Sequence, residues 1–297
     1  MAERRVAVVT ESVASLTPEE AKERGIRVIP LPFSYAGRDY LDGVNITPSE
    51  FYKMLRGDLP PARTSAPSPG AYMEACKELC EADYEVLCIT ATARIARMHE
   101  AATQGERLAR EEGVKDRIEV VDSGTAAMGQ GFLALEAARL ARAGASMDEI
   151  LGRVNRLYGF VRMLVTLDTL EYLSKTTRIP RLGTLFGKAL QIKPLILFEQ
   201  GKVEPLENPR TRQKSIGRLL DLMGERLKGG MPLHVSVQHA ASPEEAESLR
   251  TQVTERFSPA SLSIHEFSPV MASYTGPGLL GLAFYEDPEP PGQSVRS

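Results

Sequence analysis

The side chains able to ligate, attack or transfer protons are thinly spread in this chain. Cys76 and Cys80 stand four apart with no second cysteine pair to match them, and His99, His234, His239 and His265 fall at none of the spacings that aim two imidazoles at one metal. No metal site is expected. Gly183-Thr-Leu-Phe-Gly187-Lys188 superficially resembles a phosphate-binding loop, but it has one residue too few between its glycines and carries Ala189 where a magnesium-binding hydroxyl belongs. A helix in the second half of the chain explains it better. Nucleophile-elbow, dinucleotide and paired-cysteine redox signatures are absent from the sequence. What the chain does offer is a set of hydroxyl-rich and glycine-rich turns: Thr10-Glu-Ser12, Thr64-Ser65-Ala-Pro67-Ser68, Asp122-Ser123-Gly124 and Thr275-Gly276-Pro277-Gly278. Each is ordinary turn chemistry taken singly. Each also falls where a strand is expected to end, and in an open α/β sheet that is where ligands bind.

The strands that would position these turns are short apolar runs alternating with helical patterns. Val6–Thr10, Val28–Leu31, Val86–Thr90 and Ile118–Val121 read as strands of a parallel α/β sheet. Helix starts are legible at Thr17-Pro18, Thr47-Pro48, Ser146 and Ser242-Pro243, each a hydroxyl three residues before a Glu. In such a capping box the hydroxyl accepts from a helical N–H while the Glu side chain accepts from the cap's own N–H. From Arg162 the texture changes. Arg162–Thr166, a hairpin from Ile192–Phe198 through Glu199–Lys202 to Val203–Pro205, then Leu233–Val237, Leu262–Phe267 and Leu280–Phe284 read as strands, with helices near 210–228 and 243–257. The fold class expected is α/β in two domains, an N-terminal parallel sheet over 1–152 and an α/β or α+β domain over 153–286. The boundary falls in the helix near Ser146–Tyr158, and a Pro-rich, disordered tail over 287–297 follows.

Composition bounds the function. A chain of 297 residues is long enough for two cores. Its net charge is −3, with Lys and Arg scattered among Asp and Glu, so it carries no electrostatic footprint for nucleic acid. No apolar run approaches the roughly 20 residues of a membrane-spanning helix, and the opening residues enter a strand without a leader-like segment, so a cytoplasmic protein is expected. Three cysteines in a chain of this size read as reduced and mostly buried, not as a disulfide framework.

Taken in order, the turns resemble the DegV family of bacterial fatty-acid-binding proteins over Val6 to Phe284. Thr10-Glu11-Ser12 resembles the family's opening Thr-Asp-Ser, Val28–Leu31 its second strand, and Asp42 with Phe51-Tyr52 its acidic position before a helix. Thr64-Ser65-Ala-Pro67-Ser68 is similar to its Thr-Ser-Gln-Pro-Ser. Asp122-Ser123, Leu167–Leu173 leading to Arg178-Ile179, Ile192-Lys-Pro194, Arg210-Thr211 and Gly276-Pro-Gly278 follow in the same order. Two positions depart from the pattern. Where the family has Ser-Ser-x-Leu-Ser-Gly-Thr this chain has Thr92-Ala93-Arg94-Ile95-Ala96-Arg97-Met98, so a headgroup serine aligns with Ala96 and Thr92 remains as a hydroxyl. The family's His before x-Gly-Pro-Gly is Tyr274, which donates a hydrogen bond but is no acid or base at neutral pH.

The resemblance implies two α/β domains with an acyl chain between them and no cofactor. Burying a palmitate-sized chain at about 0.8 kcal/mol per methylene gives on the order of 11 kcal/mol gross, and the carboxylate needs hydroxyl or N–H donors to replace its water. Thr64, Ser65, Thr92, Ala96, Tyr274 and Ser12 are the residues the resemblance assigns to the ligand, with Arg94 and Arg97 as candidate replacements for the missing headgroup serine or as plain solvated arginines. It further implies a carrier, not an enzyme, whose partner is a fatty-acid kinase related to dihydroxyacetone kinases, docked at Arg178 and Arg210. Two other functions stay open on sequence: an enzyme acting on a small carboxylated or phosphorylated metabolite in the same crevice, and a divergent scaffold without ligand.

Overall fold

The computed structural model describes residues 5–55, 59, 62–175 and 192–289. Arg178, the Gly183–Lys188 segment and residues 290–297 therefore lie outside the described residues. The element order is β1 (Arg5–Glu11), α1 (Pro18–Arg24), β2 (Ile26–Ile29), β3 (Pro32–Tyr35), β4 (Arg38–Leu41), α2 (Pro48–Met54), β5 (Arg63–Thr64), α3 (Pro69–Glu81), β6 (Tyr84–Thr90), α4 (Met98–Glu111), β7 (Ile118–Asp122), α5 (Met128–Arg142) and α6 (Met147–Tyr158). It continues with β8 (Arg162–Thr166), α7 (Glu171–Ser174), β9 (Leu195–Glu199), β10 (Lys202–Glu207), α8 (Arg212–Gly224), β11 (Leu233–His239), α9 (Pro243–Phe257), β12 (Ser261–Glu266), α10 (Pro269–Thr275) and β13 (Leu280–Glu286).

Two main sheets take their strands from either side of α6. The first is parallel, in the order β2-β1-β6-β7, and the second is mixed, β10-β9-β8-β13-β11-β12. A small antiparallel sheet, β4-β3-β5, flanks the first and packs its Phe33 ring against Phe51 of α2 at 5.3 Å. Because side chains alternate along a strand, each main sheet serves two cores. Val8, Leu87 and Ile89 face the space between the sheets, while Val9, Val86 and Cys88 pack on α3 and α4. Likewise Met163, Val165, Ile196 and Phe198 face inward, and Leu164, Leu195 and Leu197 pack against the layer of α8 and α9. Between the sheets lies α5, buried along most of its length, whose small residues permit close approach: a Cβ at Gly131 would lie 2.9 Å from the carbonyl oxygen of Ala14.

Three of the expected capping boxes form, at Thr17, Thr47 and Ser146. The fourth does not. Ser242 makes no cap hydrogen bond, and Glu245, which would complete the box, grips Arg212 of α8 through two bonds of 2.9 and 2.8 Å. The run Val28–Leu31 is interrupted: β2 ends at Ile29, and the chain passes through Pro30 and Leu31 to enter the small sheet at Pro32. Asp287, the first residue of the expected tail, is packed into the fold. Asp287 is 3 % exposed, its N–H donates to Pro232, and its carboxylate receives Arg153, which also holds Glu136. All three cysteines are buried, and burial pushes the Cys76 thiol up to about 12 and the Cys88 thiol well above its ordinary value, so neither of these two is a thiolate near neutral pH. Among the described residues no helix is long and apolar enough to cross a membrane, and no group of His, Cys, Asp and Glu could hold a metal ion.

Candidate functional site

Between the two sheets is a cavity with about 80 Å³ of room, walled by apolar side chains from both halves of the chain: Val13, Ile95 and Met98 on one side, Val165, Leu167, Ile196 and Phe198 on the other. Met271, Tyr274 and Leu279, in and after α10, complete it. Strand register explains the second wall. Val165 pairs with Ile196 and Met163 with Phe198 across β8 and β9, so alternate residues present one continuous apolar face. Gly281 lies opposite Val165 on β13, where a Cβ would meet the Val165 side chain at 2.9 Å.

Ile95 and Ala96 line this cavity and also a wider, polar crevice bounded by Thr64–Pro69 on one lip and by Ala93–Arg97 with Glu100 and Gln104 on the other. The crevice thus adjoins the cavity at these two residues. Where they meet, the Thr64 hydroxyl and the Tyr274 phenol hydrogen-bond to each other. Thr64 is held by pairing of β5 with Phe33 of β3, and Tyr274 by α10, whose first turn is capped by Ser268. After α10 the chain reverses through Gly276 and Gly278, both at positive φ (77° and 82°); a Cβ at Gly276 would lie 2.3 Å from the Tyr172 ring.

The residues singled out by sequence therefore separate. Thr64, Ser65, Ala96 and Tyr274 converge on the cavity and the adjoining crevice. Ser65 is exposed, its N–H bonded to Pro32. Thr92 is fully buried, with its hydroxyl accepting from the N–H of Arg94, and it lines neither space. Ser12 donates to Asp42 at 2.8 Å and accepts from the N–H of Leu31 at 3.1 Å, lining a different crevice. Burial pushes Asp42 up to about 6, with the Ser12 and Ser268 hydroxyls pulling the other way. Arg97 is engaged by Glu100 through bonds of 2.8 and 2.7 Å, whereas Arg94 is exposed on the lip of the crevice. Arg210 is exposed just ahead of α8. The inward residues of β8 and β9 escaped notice because a short apolar run does not tell which face it presents.

This geometry suits an amphipathic ligand, with an apolar body between the sheets and a polar end among hydroxyls at the surface. Comparison with known proteins agrees on kinship. The model of the DegV family, described as an uncharacterised protein family, matches residues 5–287. A DegV domain-containing protein of Streptomyces coelicolor is 35% identical over 281 residues, covering 94% of this chain and 98% of the relative. One of Halalkalibacterium halodurans is 30% identical over 285 residues, 95% of this chain and 98% of the relative. Among solved structures, a fatty-acid-binding DegV family protein from Thermus thermophilus superposes with a TM-score of 0.88 at 26% identity, over 95% of this chain and 100% of that one. A stearic-acid-binding protein from Eubacterium ventriosum gives 0.88 at 25% identity, over 95% and 98%. With a matching sequence over nearly its whole length, and a two-sheet α/β fold built around an apolar cavity, the chain belongs to the DegV family.

Proposed function

We propose that this protein binds a long-chain fatty acid, with its acyl chain in the cavity between the sheets and its carboxylate at the mouth beside Thr64, Ser65 and Tyr274. The observation that carries this reading is the junction itself: an apolar cavity and a polar crevice that share Ile95 and Ala96, with the Thr64 hydroxyl of the crevice and the Tyr274 phenol of the cavity bonded together, so that the crevice serves as the cavity's mouth. A carboxylate accepts from both hydroxyls at once, exchanging one neutral bond for two charge-assisted ones. The fatty acids bound by the Thermus and Eubacterium relatives support the same class of ligand. About 80 Å³ is less than a 16-carbon chain fills, so loading parts the wall, and Met98 and Met271 are the side chains best able to yield. The roughly 11 kcal/mol of methylene burial leaves a surplus over the association cost only when most of the chain is enclosed.

The carrier presents its carboxylate at the open mouth to a fatty-acid kinase that phosphorylates it, the protein itself supplying no catalysis. Arg210, exposed ahead of α8, supports such docking. Titration of the lipid-stripped protein with oleate tests the binding half, and saturable binding at one site per chain is the expected result. Acyl-phosphate formation with a partner kinase, reduced in Arg210→Ala while oleate affinity holds, tests the presentation half.

A further inference from the structure

Behind the mouth lies a buried carboxylate that takes no part in lining it. Glu11 ends β1 fully buried. One of its oxygens accepts from the Tyr72 phenol at 2.6 Å, and the other from the Gln130 side-chain amide at 2.6 Å and the Ala91 N–H at 3.2 Å. These donors come from three separate stretches of the chain, α3, α5 and the residue just after β6, and two of them lead directly to the two lips. Past Ala91 the chain runs into residues 93–97, one lip. Tyr72 lies in the first turn of α3, which grows out of Thr64–Ser68, the other lip. The joint between the lips is tight, because a Cβ on Gly105 of α4 would come within 2.6 Å of the Tyr72 Cβ. In the order β2-β1-β6-β7 the chain winds outward in opposite directions from β1 and β6, so Glu11 and Ala91 bridge the sheet at its topological switch point.

We infer that Glu11 is a positioning residue for the ligand's carboxylate seat, holding both lips of the mouth in register through Tyr72 and Ala91. The inference rests on the fatty-acid reading above. Three donors converge on one side chain, and only a carboxylate accepts from all of them; a glutamine there would turn its own NH2 toward a donor. A side chain kept only to fill this space would be better neutral, since burial raises the carboxyl to about 7 against the pull of those same bonds. Gln130 reinforces the arrangement, its amide also donating to Thr10 and to the Ile89 carbonyl.

The test compares oleic acid with oleyl alcohol, which share a tail and differ in headgroup, on lipid-stripped protein at pH 8 by calorimetric titration. Glu11→Gln should weaken oleic acid about tenfold or more, the loss expected when charged-acceptor bonds behind a seat are broken, while oleyl alcohol changes by less than about twofold. Tyr72→Phe, which keeps the ring packing and the carboxylate, should shift the acid-to-alcohol ratio in the same direction by a smaller factor, and it carries the comparison if Glu11→Gln does not fold. An unchanged ratio in the folded variants, with both ligands weakened equally or not at all, would overturn the positioning role. Wild-type protein that binds neither ligand would remove the fatty-acid reading and this inference with it.

Discussion

The Thr64–Tyr274 pair is the smallest unit on which the proposed site depends. Thr64→Val nearly preserves shape while removing a donor, and should weaken fatty-acid binding by about 1 to 3 kcal/mol. Tyr274→Phe should cost about 0.5 to 3 kcal/mol. Since the two hydroxyls are bonded to each other, the double variant should lose less than the sum of the single losses, a coupling that titration of all three proteins would resolve. Additive losses would mean that the two groups act on different parts of the ligand. Sequence made Thr64 and Ser65 visible through the family pattern, and Ala96 and Tyr274 through their departures from it. It could not show that Thr92 and Ser12 spend their hydroxyls on local structure, because Thr92 closes its own loop and Ser12 bridges Asp42 and Leu31. Glu11 was visible as the middle of the Thr10-Glu11-Ser12 turn, but its role was not, because nothing in a Glu at a strand end announces three converging donors. Its titration gives a separate prediction. The folded state holds a proton up to about pH 7, whereas the unfolded chain releases it near 4.5. This contribution to stability is therefore present below 4.5 and lost as pH rises to 7, on the order of 3 kcal/mol. Thermal melts should show the wild type losing ground to Glu11→Gln between pH 5 and pH 8, and a constant difference would contradict the assignment.

At the scale of elements, the helix starts were the most legible part of the sequence, because a capping box is a local bargain between two side chains and a few N–H groups. The exception at Ser242 shows the limit of that locality: a tertiary partner, Arg212, claims Glu245. Strand positions were also readable, but β2 and β3 were not separable by periodicity, since the break at Pro30 only becomes meaningful once Pro32–Tyr35 pairs with β4 and β5. The turn after α10 links this scale to the site. Gly276 has positive φ and the Tyr172 ring against it, so Gly276→Ala should destabilise the fold by more than about 1 kcal/mol. It should also weaken oleate binding by displacing Tyr274 two residues earlier. A variant as stable and as tight as wild type would show that the turn is looser than its geometry indicates.

For the molecule as a whole, the cavity is a product of pairing, not of any one segment. The first wall comes from strand ends and loops of the parallel sheet, the second from the inward faces of β8 and β9, and α10 closes the space between. Order and spacing along the chain were enough to imply two α/β layers, and the family resemblance implied a ligand between them. They could not assign the inward faces, because a one-residue shift in register would exchange Val165 and Ile196 for Leu164 and Leu197. Placing an acyl chain between the sheets makes stability depend on loading: at a hundredfold excess of free ligand over Kd the folded state gains about 2.7 kcal/mol, which lipid stripping should abolish as a fall in Tm. The most direct test is native mass spectrometry of the protein purified without stripping, followed by the stripped protein incubated with palmitate and oleate. A mass increment of one fatty acid per chain, of roughly 14 to 18 carbons given the burial such a tail needs, is the result predicted. Spectra showing only ligand-free protein under both conditions would contradict it.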